Sequence, residues 1–416
     1  MQQLYRFRRL FGFSIPFWVM SLFGCLPEKT SRAEKAELST NTESSTKPEI
    51  LWKTTATGSG EESHGHFLLS CSDGGFLQIG ETGSLPTNAR IFVVKVSQDG
   101  AIQWKKEYPS AGHNLGNGAI EVDDGYVVFG AMNQDSALIK LNKTTGEVVF
   151  SKSYDFGGVD AIESMIQLGS SLVAVGYINA QDSDTTFYAE GEGHLMKFDM
   201  LGNHLSDSSL NFYTSHAYRI YAFEDKLIIG GLTQDALDYS LIKMTGSGEV
   251  IWSKKYGGSG ADHMFAMDLG PDGSIFLSGH TTSGTANWDT YTLKLDQLGN
   301  VIWENKVGNP RGFDPRYIHD EAWGVKATPD GGAIVVAGTG DEYESYSECS
   351  DLDCSDQWHA FLIRFKSDGN LLWKATYPNP EGGDWAGEDI VLTKDGGALM
   401  AVDDGQFAFV QLSSVY

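Results

Sequence analysis

The chain has little cysteine, a shortage of basic residues and no long apolar run. Four cysteines in 416 residues exclude a fold stapled by a dense disulfide framework. Lys and Arg number 30 against 55 Asp and Glu, a formal charge of −25. A field of that sign repels nucleic acid and disfavours an acidic polysaccharide, while it keeps a secreted protein soluble. The apolar stretch at residues 10–23 is too short to span a membrane. No long segment carries helical periodicity, and there is no Gly-x-Ser-x-Gly elbow, His-Glu-x-x-His, phosphate loop or dinucleotide fingerprint. Enzymes that gather their groups from scattered residues are not excluded by these absences.

The first 24 residues have the layout of a secretory signal. Arg6, Arg8 and Arg9 precede the apolar stretch, which ends in Leu22-Phe23-Gly24-Cys25. This ending resembles a bacterial lipobox, and it implies that Cys25 is lipidated and becomes the new N-terminus. Loss of the three arginines makes the mature chain more negative still. Residues 25–49 are rich in Ser, Thr, Glu and Lys and cannot bury enough surface to order themselves, so they read as a tether. The expected location is the bacterial cell envelope, held to the membrane by lipid alone. Leu26 after the cysteine fits the outer membrane.

Residues 50–416 repeat. A glycine followed at a fixed distance by an aromatic recurs as Gly100 and Trp104, Gly146 and Phe150, Gly248 and Trp252, Gly299 and Trp303, and Gly369 and Trp373. Gly202 and Ser206 keep the spacing without the ring, and Trp52 opens the series without its glycine. An Asp-Gly turn moves in phase, as at Asp73-Gly74, Asp124-Gly125, Asp272-Gly273, Asp330-Gly331 and Asp395-Gly396, a hairpin signal in which both residues can take positive φ. A basic column follows in apolar strands: Lys95, Lys140, Lys197, Lys243, Lys294 and Arg364, with Gln411 in the seventh copy. Each period therefore holds four short strands, which is one propeller blade. The folded region begins with a Trp strand and ends on a basic-column strand. The expected fold is all-β, a seven-bladed β-propeller of four-stranded blades whose ring is closed by the N-terminal strand completing the last blade.

The Gly-x-x-x-Trp spacing resembles the tryptophan-docking repeats of the pyrroloquinoline-quinone-like propeller superfamily, across essentially all of residues 50–416. That resemblance implies architecture more than activity, because members include quinone dehydrogenases, assembly-factor lipoproteins and binding proteins. No segment matches the dehydrogenases' quinone or calcium ligands.

In this strand order the strand before the Asp-Gly turn is innermost, and polar residues near its start converge on one channel mouth. The candidates there are His64, His66, His113, His216, Tyr218, Asp262, His263, His319, Asp320, Trp323, Asp384 and Trp385, accompanied by Asp160, Glu163, Glu321 and Glu388. Imidazoles and carboxylates suit divalent ions, and a mouth lined with Trp suits sugar rings; solvated loop residues would look the same. The Trp column reads as packing between blades and the basic column as pairing with carboxylates. An insertion in the sixth blade carries Cys349 and Cys354, an expected disulfide, and Asp351, Asp353 and Asp356, a weak calcium loop. Cys71 reads as buried packing.

Two readings follow. One is an envelope-anchored binding or scaffold lipoprotein, a monomer whose channel mouth takes a glycan, a peptide or an envelope protein, with no cofactor beyond a possible calcium. The other is a polysaccharide lyase or hydrolase with a base among His216 and Tyr218 and a cation from Arg219 or Arg316. A quinone-dependent dehydrogenase is implied only by the superfamily resemblance.

Overall fold

The computed structural model describes residues 47–416 apart from 61, 85–87, 109–110, 113, 181–190, 310–317 and 341–357. Cys25, His113, Arg316, Asp351, Asp353, Asp356 and the Cys349–Cys354 pair lie outside the described residues. Seven antiparallel four-stranded sheets follow one another around a ring, and no strand is shared between sheets. The molecule is a seven-bladed β-propeller. In six blades the strands run inner to outer in chain order, and in the seventh the strand Ile50–Ala56 pairs with the last strand, Phe407–Leu412. The chain's two ends thus close the ring. Pro48 and Glu49 extend the closure: the Tyr377 hydroxyl donates to Pro48 O at 2.8 Å, and the Glu49 N–H donates to Ser413 Oγ at 2.8 Å.

Alternation of side chains places two apolar faces on every blade, and the core accordingly lies between blades. Leu77, Ile79 and Val93 of blade 1 pack with Tyr126, Val128 and Ile139 of blade 2, for example. Cys71 belongs to this cluster, and burial pushes its thiol up to about 11. The Asp-Gly turns differ from expectation. At Asp124-Gly125 neither residue takes positive φ; in the other four copies only the glycine does, +86° at Gly74. The turn is longer than a two-residue hairpin: Gly74 N–H bonds Cys71 O and Cys71 N–H bonds Gly75 O. The aspartate is used for its carboxylate, which accepts the Gly75 N–H at 2.9 Å and pairs with buried Lys95 at 3.0 Å. Lys140 with Asp124 and Arg364 with Asp330 repeat the pairing, so in these blades the basic column anchors the turn of its own blade.

The aromatic column joins neighbours. A Cβ on Gly100 would meet the Trp52 ring of the preceding blade at 2.7 Å, and Gly146 stands likewise to Trp104, Gly202 to Phe150, Gly299 to Trp252 and Gly369 to Trp303. Any side chain there would displace the ring. At the junction of blades 3 and 4, where Ser206 replaces the aromatic, Gly248 has nothing within 4 Å.

Candidate functional site: a ring of seven bulges in the channel

Each of the seven inner strands slips register by one residue against its neighbour, at the equivalent place. The extra residues are His66, Asn117, Glu163, Tyr218, Phe265, Trp323 and Glu388 in blades 1 to 7. A bulge leaves one residue outside the ladder and re-aims its side chain. Seven such residues on the innermost strands form a ring around the channel axis.

The ring has two arcs. On blades 4 to 6 it is aromatic: Tyr218 and Phe265 have centroids 5.2 Å apart, and Phe265 and Trp323 4.4 Å. On blades 7, 1 and 3 it is ionisable. His66 Nε2 lies 2.8 Å from Glu81 and its Nδ1 4.0 Å from Glu388. Burial alone would lower the His66 pKa, but the flanking carboxylates outweigh it and hold it up at about 10. Glu81 is correspondingly lowered, its burial overcome by His66. Glu163 is pushed up to about 7 by burial, against the pull of Arg219 and His66. Asn117 of blade 2 donates to Ile162 O at 3.0 Å.

Above the ring, on the mouth side, the aromatic arc is backed by imidazoles. His216 lies 4.7 Å from Tyr177 and 6.0 Å from Tyr218 by centroids, and burial pushes it down to about 4, so it is neutral at pH 7. His263 is 5.0 Å from Trp288, and His280 lies 4.8 Å from Trp288 and 5.7 Å from Trp323. The two indoles, Trp288 and Trp323, are only half-buried. His64, equivalent in its strand to His216 and His263, instead pairs with Asp403 at 2.8 Å across the first and last blades. His319 is buried, with Nδ1 3.9 Å from Glu321.

The other mouth candidates are tied to their own loops. Three residues before each bulge stands a small polar group in six of seven blades, including Ser63, Asn114, Asp160, Asp262 and Asp320. The Asp262 carboxylate accepts from Gly258 N–H, Thr281 Oγ1 and Ser283 Oγ, and Asp320 accepts Asn309 N–H at 2.7 Å. Asp160 accepts Phe156 and Asn179 N–H. Burial pushes Asp320 up to about 7 and Asp160 to about 6. The seventh position is Trp385, which is fully buried in the packing of blades 6 and 7, while Asp384 accepts Trp358 N–H at 2.9 Å. Among the described residues one acidic trio, Asp135, Asp155 and Asp160, has ligand atoms within 4.8 Å of each other. Both Asp160 oxygens there already accept backbone amides.

Beyond the ring the channel holds a cavity of about 400 Å³ lined by all seven inner strands. It reaches Ser70 and Leu392, the last residues of their strands, and so lies toward the Asp-Gly face. The exposed edges of the inner strands are satisfied here by neighbours, as an open edge requires. Asp389 accepts Leu68 N–H at 2.9 Å, Asp268 accepts Ala327 N–H at 2.8 Å, and Ser164 accepts Ile220 N–H at 3.2 Å.

The ring contains five of the residues singled out from sequence, and it adds Asn117 and Phe265. The signal that identifies those two is position rather than chemistry: each is three residues after the polar latch of its blade.

No protein-family model and no curated protein sequence matches the chain. Solved structures do. A catalytically inactive virginiamycin B lyase from Staphylococcus aureus aligns with TM-score 0.55 and 12% identity over 87% of this chain and 99% of that one. The Pan2 WD40 domain of Neurospora crassa aligns with TM-score 0.52 and 12% identity, covering 85% and 90%. The WD40 propeller of Doa1 gives 0.52 and 11%, covering 88% and 97%. At such identities the likeness is one of fold.

Proposed function

We propose that this chain is a non-catalytic binding protein of the bacterial cell envelope, lipid-anchored through Cys25, whose channel mouth takes a neutral glycan. The observation that carries the reading is the pair of half-buried indoles, Trp288 and Trp323, backed by Phe265 and His280 and facing an ionisable arc around the same ring. Indole faces pack on the apolar face of a sugar ring, and imidazole and carboxylate groups take its hydroxyls. The net charge of −25 argues for a neutral ligand over a polyanion. The docking of outer-strand rings on turn glycines supports placement in the tryptophan-docking superfamily. The lyase reading is weaker, because Arg219, one of its two candidate cations, lines the cavity beyond the ring.

A neutral-glycan array and titration calorimetry on the full chain test this. Binding without turnover is expected, weakened at least about fivefold by Trp288→Ala or Trp323→Ala, since a stacking contact is worth about 1 kcal/mol or more. Product release from a bound glycan, or binding indifferent to both substitutions, overturns it.

A further inference from the structure

The cavity on the far side of the ring is a second compartment, and its reading does not depend on the mouth. We propose that it binds a small amphiphilic carboxylate, with the apolar body against Phe67, Ile120 and Ile166 and the head group on Arg219 and Lys326. Its volume of about 400 Å³ falls in the range of small-molecule sites, and its walls follow their usual plan, mostly apolar with a few convergent polar groups.

The head-group chemistry follows from the donors and acceptors present. Burial raises the Asp389 carboxyl of blade 7, and Lys326 of blade 6 and Arg219 of blade 4 pull against that rise, so both cations act across the channel axis. Two carboxylates share the compartment with the cations and also hold backbone amides. Asp389 accepts Leu68 and Ile390 N–H, and Asp268 accepts Ala327 N–H and lies 3.8 Å from Lys326. Glu163, which acts on Arg219 from the ring, is pushed up to about 7 by burial and so only partly offsets the guanidinium. A guanidinium carries five N–H donors and no acceptor; Arg219 donates to Tyr218 O at 2.8 Å. Lys326 is shared by Asp268, Asp389 and the Tyr221 hydroxyl, so Arg219 is the cation with guanidinium N–H groups left for a ligand. A carboxylate, an acceptor with two oxygens, complements it. A cationic head would meet the Arg219 guanidinium, and a polyol would leave the apolar wall uncovered.

Titration calorimetry of the full chain with octanoate, octanol and octylamine separates these chemistries. Octanoate is expected to bind one to one, at least about tenfold tighter than octanol, as a charge-assisted hydrogen bond requires, and octylammonium not at all. Arg219→Met should bring octanoate down to the affinity of octanol. Ile120→Trp, which fills the wall, should abolish both while circular dichroism and Tm stay native. If Arg219→Met does not fold, Lys326→Gln serves in its place. Octylamine binding as tightly as octanoate overturns the proposal, as does the absence of octanoate binding by folded protein. So does octanoate binding that survives both the head-group and the wall substitution. Because Trp288 does not line the cavity, glycan binding read on Trp288→Ala and octanoate binding read on Ile120→Trp fail independently.

Discussion

The two arcs of the channel ring share a backbone and differ in everything else. Phe265 and His66 are each the extra residue of a bulge at the same place in an inner strand, yet one sits among rings and the other between two carboxylates. The repeat supplies seven equivalent positions, and the side chain chosen at each sets the local chemistry. A ligand in this channel therefore meets an apolar wall on one side and ionisable groups on the other. That asymmetry gives orientation as well as affinity.

The strongest way to break the contrast is to remove one residue from each arc. His66→Ala strips the partner from Glu81 and Glu388, both nearly fully buried, and should cost about 3–5 kcal/mol. Phe265→Ala opens a hole among Tyr218, His280 and Trp323 and should cost a similar amount, about 3–5 kcal/mol. Urea unfolding distinguishes the two mechanisms through rescue. Acidification, by neutralising the stranded carboxylates, should recover much of the His66→Ala loss and none of the Phe265→Ala loss. Equal recovery in both would mean that the arcs are not chemically distinct.

The architecture was legible because it is written seven times. The Gly-x-x-x-Trp spacing, the basic column and the order of the terminal strands each mark a contact that recurs in the structure, such as Trp104 over Gly146 or Lys95 on Asp73. A tyrosine column went unread, although Tyr108 and Tyr256 donate to the carbonyls of Gly146 and Gly299 in the same junctions. The site was legible only in part. His66, Glu163, Tyr218, Trp323 and Glu388 were picked for their chemistry, whereas Asn117 and Phe265 have no such chemistry to mark them. Asp262 and Asp320 carry the residue type of a ligand site and spend it on loop amides. A bulge is a register event between two strands, and alternation within one strand does not record it.

The arcs should also respond to opposite changes of pH. His66 binds its proton more tightly in the folded chain, at about 10 against an ordinary 6.5. Its contribution is complete below pH 6.5 and is lost as pH rises from 6.5 toward 10. His216, behind the aromatic arc, is held down to about 4, so folded protein resists its protonation and stability is lost as pH falls from 6.5 toward 4. His216→Phe removes that titration. Relative to the parent, the variant should gain about 2–3 kcal/mol between pH 7 and pH 4 in denaturant midpoints read as free energy. A pH-independent difference would place His216 in contact with an unrecognised acid and weaken the apolar description of that arc.

The smallest effect sharpens the boundary of the ionisable arc. Glu163 is an acid whose proton burial favours, at about 7 against 4.5, so its charge costs stability as pH rises from 4.5 through 7. Glu163→Gln keeps the shape and cannot ionise. The variant should match the parent at pH 4.5 and exceed it by about 1 kcal/mol at pH 8, the partial exposure of the site screening the rest. A variant that is less stable than the parent at pH 8 would mean that the Glu163 carboxylate is held productively by Arg219. The ionisable arc would then reach through the ring into the cavity beneath it, and its charges would belong to one network instead of two.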